Sequence, residues 1–362
     1  MENPALTGLS IKGYKSIKSC DIAFTNINVL IGSNGAGKSN LLSAFDLFRN
    51  IMNHNFQRYA SEKVPRTFFY NGIADTPYFA LDFRFDKLGY GVEIQIDENE
   101  QLFLRTEKFS DKKEFMSNSG FRETTWQMDS ILQPGPFKSL SKILNGNPYR
   151  VYHFHDTHRT ANVKAPHSID NNEVFFEDVR NIAAFLYRLQ QNYPAAYTNI
   201  VNAVRRVAPY FENFVVAPRD KNGETVFLRW KQRGPEDVLN PSQLSDGTLR
   251  FLCLATLLLQ PEELMPPAII IDEPELGLHP YAIFMFSELV KQVALHKQII
   301  IATQSVELLD HFAPDDVIVA DRTENGTEFK RLSEEQLSAW LDDEYTLGEL
   351  WNKNVFGGRV TR

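Results

Sequence analysis

Gly32-Ser33-Asn34-Gly35-Ala36-Gly37-Lys38-Ser39 follows an apolar run over residues 27–31 and precedes Asn40-Leu41-Leu42-Ser43-Ala44-Phe45. It reads as a strand, a glycine loop and the start of a helix. The pattern G-x-x-x-x-G-K followed by Ser has a mechanism in that setting: backbone N–H groups wrap phosphates, the lysine reaches the outer ones and the hydroxyl meets Mg2+. Glycines let the backbone approach the anion closely. The helix N-terminus adds unpaired N–H groups and the positive end of a dipole, so charge and geometry both favour a triphosphate. Asn34, Gly35, Ala36, Gly37, Lys38, Ser39 and Asn40 are therefore the first candidate nucleotide-binding residues, with ATP and Mg2+ as the expected cofactors.

At 362 residues the chain can bury a sizeable core, and 43% hydrophobic with 23% charged residues is an ordinary globular composition. A net charge of -8 argues against a broadly basic nucleic-acid coat but leaves DNA contact through a local patch open. Cys20 and Cys253 are the only cysteines, too few for a disulfide framework or a cysteine zinc site, which suits a reducing cytoplasm. Met1-Glu2-Asn3-Pro4 lacks a basic and apolar leader pattern, and the greasiest run, residues 251–259, is too short to span a bilayer. Neither an export signal nor a membrane partner is expected.

Residues 9–12 and 21–24 read as short strands joined by Gly13-Tyr14-Lys15-Ser16-Ile17-Lys18. Over residues 41–52 the spacing of Leu41, Leu42, Phe45, Phe48 and Met52 predicts a helix with one buried face. Apolar and polar residues alternate over 78–85, 92–96 and 102–105, which predicts an antiparallel sheet. Residues 106–148, with Asp111-Lys112-Lys113-Glu114 and Pro134-Gly135-Pro136, read as an irregular, exposed insertion. Another strand is expected over 149–154, helical spacing over 174–207, and strands over 211–216 and 225–230. No internal repeat and no heptad run is present, so no coiled coil is expected.

Leu244-Ser245-Asp246-Gly247-Thr248 opens a helix over 249–259 and offers Ser245 and Gly247 as a second anion site, although an ordinary N-cap uses the same residues. Pro267-Ala268-Ile269-Ile270-Ile271-Asp272-Glu273-Pro274 is a continuous apolar strand ending in two acids, the pattern of a strand buried on both faces. In a phosphate-loop protein the first acid, here Asp272, holds Mg2+, usually through water, and the second, here Glu273, can accept a proton from the attacking water, although an acidic turn after a core strand uses the same residues. Residues 298–303 repeat the buried-strand pattern and end in Gln304-Ser305, a place for a polar sensor of the terminal phosphate or for a simple cap. His153, His155, Asp156 and His158 allow a metal reading, since positions 153 and 155 share a strand face, but a polar loop beside nucleotide is simpler. Lys12, Lys15, Lys18 and Arg205-Arg206 read as solvated charge before they read as a nucleic-acid surface.

The order of phosphate loop, L-S-x-G, Asp-Glu strand, Pro274-Glu275-Leu276-Gly277-Leu278-His279-Pro280 and Ala302-Thr303-Gln304-Ser305 resembles ABC-type ATPases of the SMC/RecF/OLD group. Gly13-Tyr14-Lys15-Ser16 is similar to that group's opening. Tyr152-His153-Phe154-His155-Asp156, Leu244 to Phe251 and Leu347-Gly348-Glu349-Leu350-Trp351 resemble a bacterial family of predicted ATPases with an AAA-type ATPase-like domain. The resemblance implies a head-to-tail homodimer or higher oligomer with ATP between the phosphate loop of one subunit and the L-S-x-G helix of the other. It implies Lys38 on the outer phosphates, Ser39 and Asp272 on Mg2+, Glu273 polarising water, Ser245 and Gly247 acting in trans, and Glu275 and Gly277 at the dimer seam. Gln304 stands where many ABC proteins have a switch histidine, a replacement that removes a group able to share a proton and so implies slow turnover. The glutamine that usually couples a distal lobe to Mg2+ has no clear match, and His155 and Asp156 are the candidates for that role.

The expected architecture is one α/β phosphate-loop domain over 1–362, with a mixed core sheet, an antiparallel side sheet and a helical lobe. Its parts are 1–55 with the N-terminal strands and phosphate loop, 56–165 rich in β, 166–245 the helical lobe and signature, 246–320 the acid and switch strands, and 321–362 a tail. The expected function is an ATPase whose dimer controls a partner effector or a DNA-related process such as phage defence. A nucleotide-gated sensor or scaffold with little turnover is the alternative, and a transporter subunit ranks last. Relatives of the OLD kind carry a nuclease after the ATPase; residues 306–362 leave little room for one, so a nuclease or toxin effector is expected as a separate protein.

Overall fold

The computed structural model describes residues 5–86, 88–111, 149–154, 156–158, 161–218, 223–234, 236–341 and 345–358. Most of the expected insertion, residues 112–148, lies outside the described residues. The chain opens with β1 (Leu6–Tyr14) and β2 (Ile17–Ala23), paired antiparallel about a tight turn in which Lys15 takes the left-handed conformation. The apolar β3 (Ile27–Ile31) leads into the glycine loop. Next, α1 (Lys38–Met52) buries Leu41, Leu42, Phe45, Phe48 and Met52, the face its spacing predicts, and begins at the lysine itself. After α2 (Phe56–Ser61) come β4 (Tyr78–Phe85), β5 (Leu88–Ile96) and β6 (Leu102–Asp111).

These strands form an antiparallel sheet in the order β2-β1-β4-β5-β6. Residues 106–111, expected to be irregular, belong to β6: its register with β5 runs to Asp111 opposite Leu88. Pairing with a neighbour already in place outweighs the polar composition of that stretch. The sheet packs on α1 through aromatic rings, with Phe83 of β4 stacked on Phe48 at a centroid distance of 4.1 Å and edge-on to Phe45 at 5.8 Å. Such rings carry a large share of the burial that holds a helix to a sheet.

Following β7 (Val151–His153), the chain builds β8 (His167–Ser168), α3 (Ile182–Asn192), α4 (Pro194–Val207), β9 (Phe211–Val215), β10 (Thr225–Val226), β11 (Arg229–Gln232) and β12 (Val238–Leu239). The long helical run expected from residue 174 starts only at Ile182. Asn181 explains the delay: fully buried, it accepts the N–H of Phe176 and donates to the carbonyls of Asn171 and Val174, so side-chain bonds hold the preceding residues in turns. Pro194 then opens α4, where its missing N–H is harmless. The signature helix α5 (Asp246–Leu259), the strand β13 (Ala268–Asp272) and α6 (Pro280–Val293) follow.

The remainder is β14 (Gln298–Thr303), α7 (Val306–Leu309), β15 (Val317–Thr323), β16 (Gly326–Arg331), α8 (Glu334–Leu341) and α9 (Leu347–Asn352). A six-stranded sheet has the order β16-β15-β3-β14-β13-β7. It is mixed, as expected: β14 and β15 run parallel to β3, and β16 runs antiparallel to β15. Thr303 and Val319 are both level with Ile31, so the glycine loop and Gln304 leave the sheet at one edge, where β15 runs on paired with β16. Carboxyl ends of parallel strands are where open α/β sheets bind ligands. The chain forms two compact units: Met1–Val151, Pro266–Ile270 and Gln298–Arg362 make the first, and Tyr152–Met265 with Ile271–Lys297 the second.

Candidate nucleotide site

In the first unit Gly35 and Gly37 sit at φ 81 and 107, a region where a side chain is penalised. Gly37 also lacks space, because a Cβ there would run into the side chain of Thr327. Lys38 is 6% exposed, and its Nζ donates to the carbonyls of Gly32 at 2.6 Å and Ser33 at 3.2 Å. A buried ammonium needs such acceptors. Phosphate oxygens would replace these neutral acceptors with anionic, stronger ones. No side chain caps α1, which suits a helix N-terminus meant for an anion, and Ser39 is exposed on the first turn. Asn40 directs its Nδ2 to Ser16 Oγ at 2.6 Å, and that hydroxyl lies 2.7 Å from Thr327 Oγ1. Thus Asn40 ties the loop to the β1–β2 turn.

Beside this loop a cleft of about 440 Å3 is lined by Lys15, Ser16, Asn40, Thr67 and Arg322. Its size is in the range of small-ligand sites. Lys15 lies over the rings of Tyr14 and Phe68 and donates to Ser43 Oγ at 2.7 Å. Burial pulls its pKa down to about 8, Lys63 adds to that, and Asp46 opposes it. Arg322 donates to the carbonyl of Ser16 at 3.2 Å. Sequence reasoning singled out Lys15 and Ser16 without giving them a cleft; Thr67 and Arg322 carry no local signal and come together only through the fold. Lys12 and Lys18 are exposed, and Arg205 is engaged with the carbonyl of Glu212.

At the same sheet edge as the glycine loop, Gln304 is half-buried where β14 gives way to α7. Ser305 caps that helix by accepting the N–H of Leu308 at 3.1 Å, so the capping role read for this pair falls to Ser305.

In the second unit, Asp272 ends β13 with its side chain 14% exposed, and its Oδ2 lies 3.5 Å from Nδ1 of His153. Burial lowers the His153 pKa, while Glu177 and Glu273 pull it upward. Glu273 itself sits at φ 46. For a residue with a Cβ that conformation costs on the order of 1 kcal/mol, and strain of this kind collects at functional sites. Glu275 is buried at 7% within the second unit, whereas Gly277, at φ 71, is exposed. Of the two residues expected at a dimer seam, Gly277 is therefore the accessible one.

Ser245 is the N-cap of α5: its Oγ accepts the Thr248 N–H at 3.1 Å and lies 2.8 Å from Thr248 Oγ1, which meets Tyr210 OH at 3.0 Å. The ordinary cap is thus present, and Ser245 is still exposed. A Cβ on Gly247 would lie 2.5 Å from the Gly277 carbonyl, and Arg250 donates to the Leu276 carbonyl at 2.6 Å. The start of α5 and the loop after Glu273 therefore pack as one piece. His155 lies outside the described residues. Asp156 is exposed and accepts the backbone N–H of His158 at 3.2 Å; among the described residues of this stretch, His153 is the one that faces Asp272. Among the described residues no cluster of three or more His, Cys, Asp or Glu side chains is placed to hold a metal ion.

A family model described as "AAA domain, putative AbiEii toxin, Type IV TA system" matches residues 27–310. No curated protein matches the chain. Among solved structures, an SMC head bound to the C-winged helix domain of ScpA matches with a TM-score of 0.60 at 15% identity, covering 92% of this chain and 99% of that one. A Pyrococcus furiosus Smc head with an extended coiled coil, bound to the C-terminal domain of ScpA, matches at 0.62 with 12% identity, covering 94% and 99%. The Thermotoga maritima SMC head domain matches at 0.50 with 15% identity, covering 91% and 99%. The fold is that of a phosphate-loop ATPase of the ABC/SMC-head kind. Among the described residues no helix is long and apolar enough to cross a membrane.

Proposed function

The chain belongs to this AAA-domain family, and on that footing we propose that it binds Mg-ATP at residues 34–40, hydrolyses it at a site completed by a second copy, and thereby controls a partner effector. The observation that carries the reading is Lys38, buried at the mouth of a glycine loop with its ammonium donating to that loop's own carbonyls. Ser39 and Asp272 are assigned to Mg2+ on their chemistry alone, a hydroxyl and a carboxylate being the hard oxygen donors it takes. Held by these residues, Mg2+ would supply charge neutralisation on the phosphates. Lys38 and the loop N–H groups orient the phosphates, Glu273 takes a proton from the attacking water, and Gln304 senses the terminal phosphate at the edge where the glycine loop emerges. The cleft beside Asn40 receives the nucleoside, with Lys15 and Arg322 at its walls.

Ser245 and Gly247, exposed or half-exposed at the start of α5, serve the ATP held by the second copy, so the working form is a homodimer or a higher oligomer. The family description names a putative toxin of a type IV toxin–antitoxin system, which supports a toxin–antitoxin setting; a separate nuclease or toxin effector, phage defence or a DNA-linked process in the cytoplasm is our reading of that setting. Fold alone does not select among these. A second reading, a nucleotide-gated scaffold with little turnover, is favoured by Gln304 in place of a protonatable group. The test is solution mass by light scattering for Glu273→Gln with and without Mg-ATP. An ATP-dependent shift from monomer to dimer supports the composite site; a monomer that ATP leaves unchanged overturns it. Phosphate release by the wild type, lost in Lys38→Ala, separates the ATPase from the scaffold.

A further inference from the structure

Leu347-Gly348-Glu349-Leu350-Trp351, a motif with no role in the scheme above, forms α9, and the chain beyond it reaches the phosphate loop. The backbone N–H of Ser33 donates to the carbonyl of Gly358 at 3.0 Å. Ser33 is thereby held on both sides, since its own carbonyl receives Lys38 Nζ at 3.2 Å and the Ala36 N–H at 3.1 Å. Gly358 can make this contact only as glycine: it sits at φ 85, and a Cβ would lie 2.7 Å from the Trp351 ring and from Val319 Cγ1.

The segment carrying Gly358 is itself anchored. Thr346 and Glu349 form a reciprocal capping box, and Leu350 and Trp351 are buried. Gly348 donates its N–H to Asp310 Oδ1 at 2.5 Å, and a Cβ there would press on the same carboxylate. Asp310 closes α7, the helix that starts immediately after Gln304 and Ser305. Residues 346–358 therefore touch both the loop that holds the phosphates and the helix that follows the terminal-phosphate sensor.

We propose that this C-terminal segment is a positioning element of the nucleotide site: Gly358 pins the phosphate loop through Ser33, and α9 ties that loop to the segment behind Gln304. Held this way, the loop has less freedom to lose when phosphate arrives, which is the origin of preorganised affinity. The inference rests on the loop taking a nucleotide.

Two altered chains test it, one ending at Asn354 and one carrying Gly358→Ala, compared with wild type and Lys38→Ala. The readouts are equilibrium binding of a fluorescent ATP analogue and hydrogen exchange of the nucleotide-free proteins. Expected are an affinity loss of at least about tenfold in both altered chains and faster exchange in a peptide spanning residues 30–37, with β4 and β5 protected as in wild type. Wild-type affinity together with unchanged exchange at 30–37 overturns the inference. Protection lost throughout β4 and β5 also overturns it, by making the segment a general stabiliser. A wild type that binds no nucleotide sinks the ATPase reading instead, and the exchange arm still decides whether Gly358 holds the loop.

Discussion

Nδ1 of His153, at the end of β7, lies 3.5 Å from Oδ2 of Asp272, at the end of β13. Burial holds the imidazole below its usual pKa, so near neutral pH the ring is uncharged and meets the carboxylate as a dipole. Its effect is orientation of the acid more than charge neutralisation. His153→Ala is expected to leave the fold intact and to raise the Mg2+ concentration that nucleotide binding needs by about 10- to 100-fold. A Mg2+ titration of nucleotide binding reads this directly; an unchanged midpoint denies His153 the role.

Lys38→Ala removes the charge from a loop whose other groups are neutral. With bonds from an ammonium worth about 1.5–3 kcal/mol each, ATP affinity is expected to fall about 10- to 100-fold or more. Isothermal titration measures it, and near-wild-type affinity would place the nucleotide elsewhere.

Glu273 has a left-handed backbone, the natural conformation of glycine. Glu273→Gly is expected to raise unfolding stability by up to about 1 kcal/mol, the relieved strain being partly offset by unfolded-chain entropy. It is expected also to abolish turnover. Urea unfolding and phosphate release together check the pair; a less stable and fully active variant contradicts both halves.

Lys15 has a pKa of about 8, below the ordinary lysine value, because burial disfavours its charge. The folded state sheds that proton first, so unfolding stability from this group rises as pH climbs from about 8 toward the unfolded value near 10.4. Nucleotide affinity should run the opposite way, falling as pH passes about 8 and the cleft loses a positive charge. Binding measured from pH 7 to 9.5 on wild type and Lys15→Met tests this. The decline is expected only in the wild type.

Phe48→Ala removes a ring fully buried among Phe83, Tyr90 and Tyr149 and is expected to cost about 3–5 kcal/mol. Denaturant unfolding gives the number. A cost under about 1 kcal/mol would mean that α1 does not depend on this packing.

What residues 32–39, the buried face of α1 and the apolar runs of β13 and β14 become was determined by the sequence alone. Each is set by neighbours within one turn or one strand: φ demands on glycine, a 3.6-residue period, or a run buried on both faces. Tertiary structure decided the rest. Pairing with β5 carried β6 to Asp111 through a polar stretch, and Asn181 delayed a helix with bonds to residues up to ten positions away. His153 faces Asp272, an acid more than a hundred positions away, so no local pattern could pair the two. The cleft of Lys15, Thr67 and Arg322 and the bond from Ser33 to Gly358 join segments from opposite ends of the chain. Their energies depend on loop closure over long stretches, and a local pattern carries no information about which distant partner completes it.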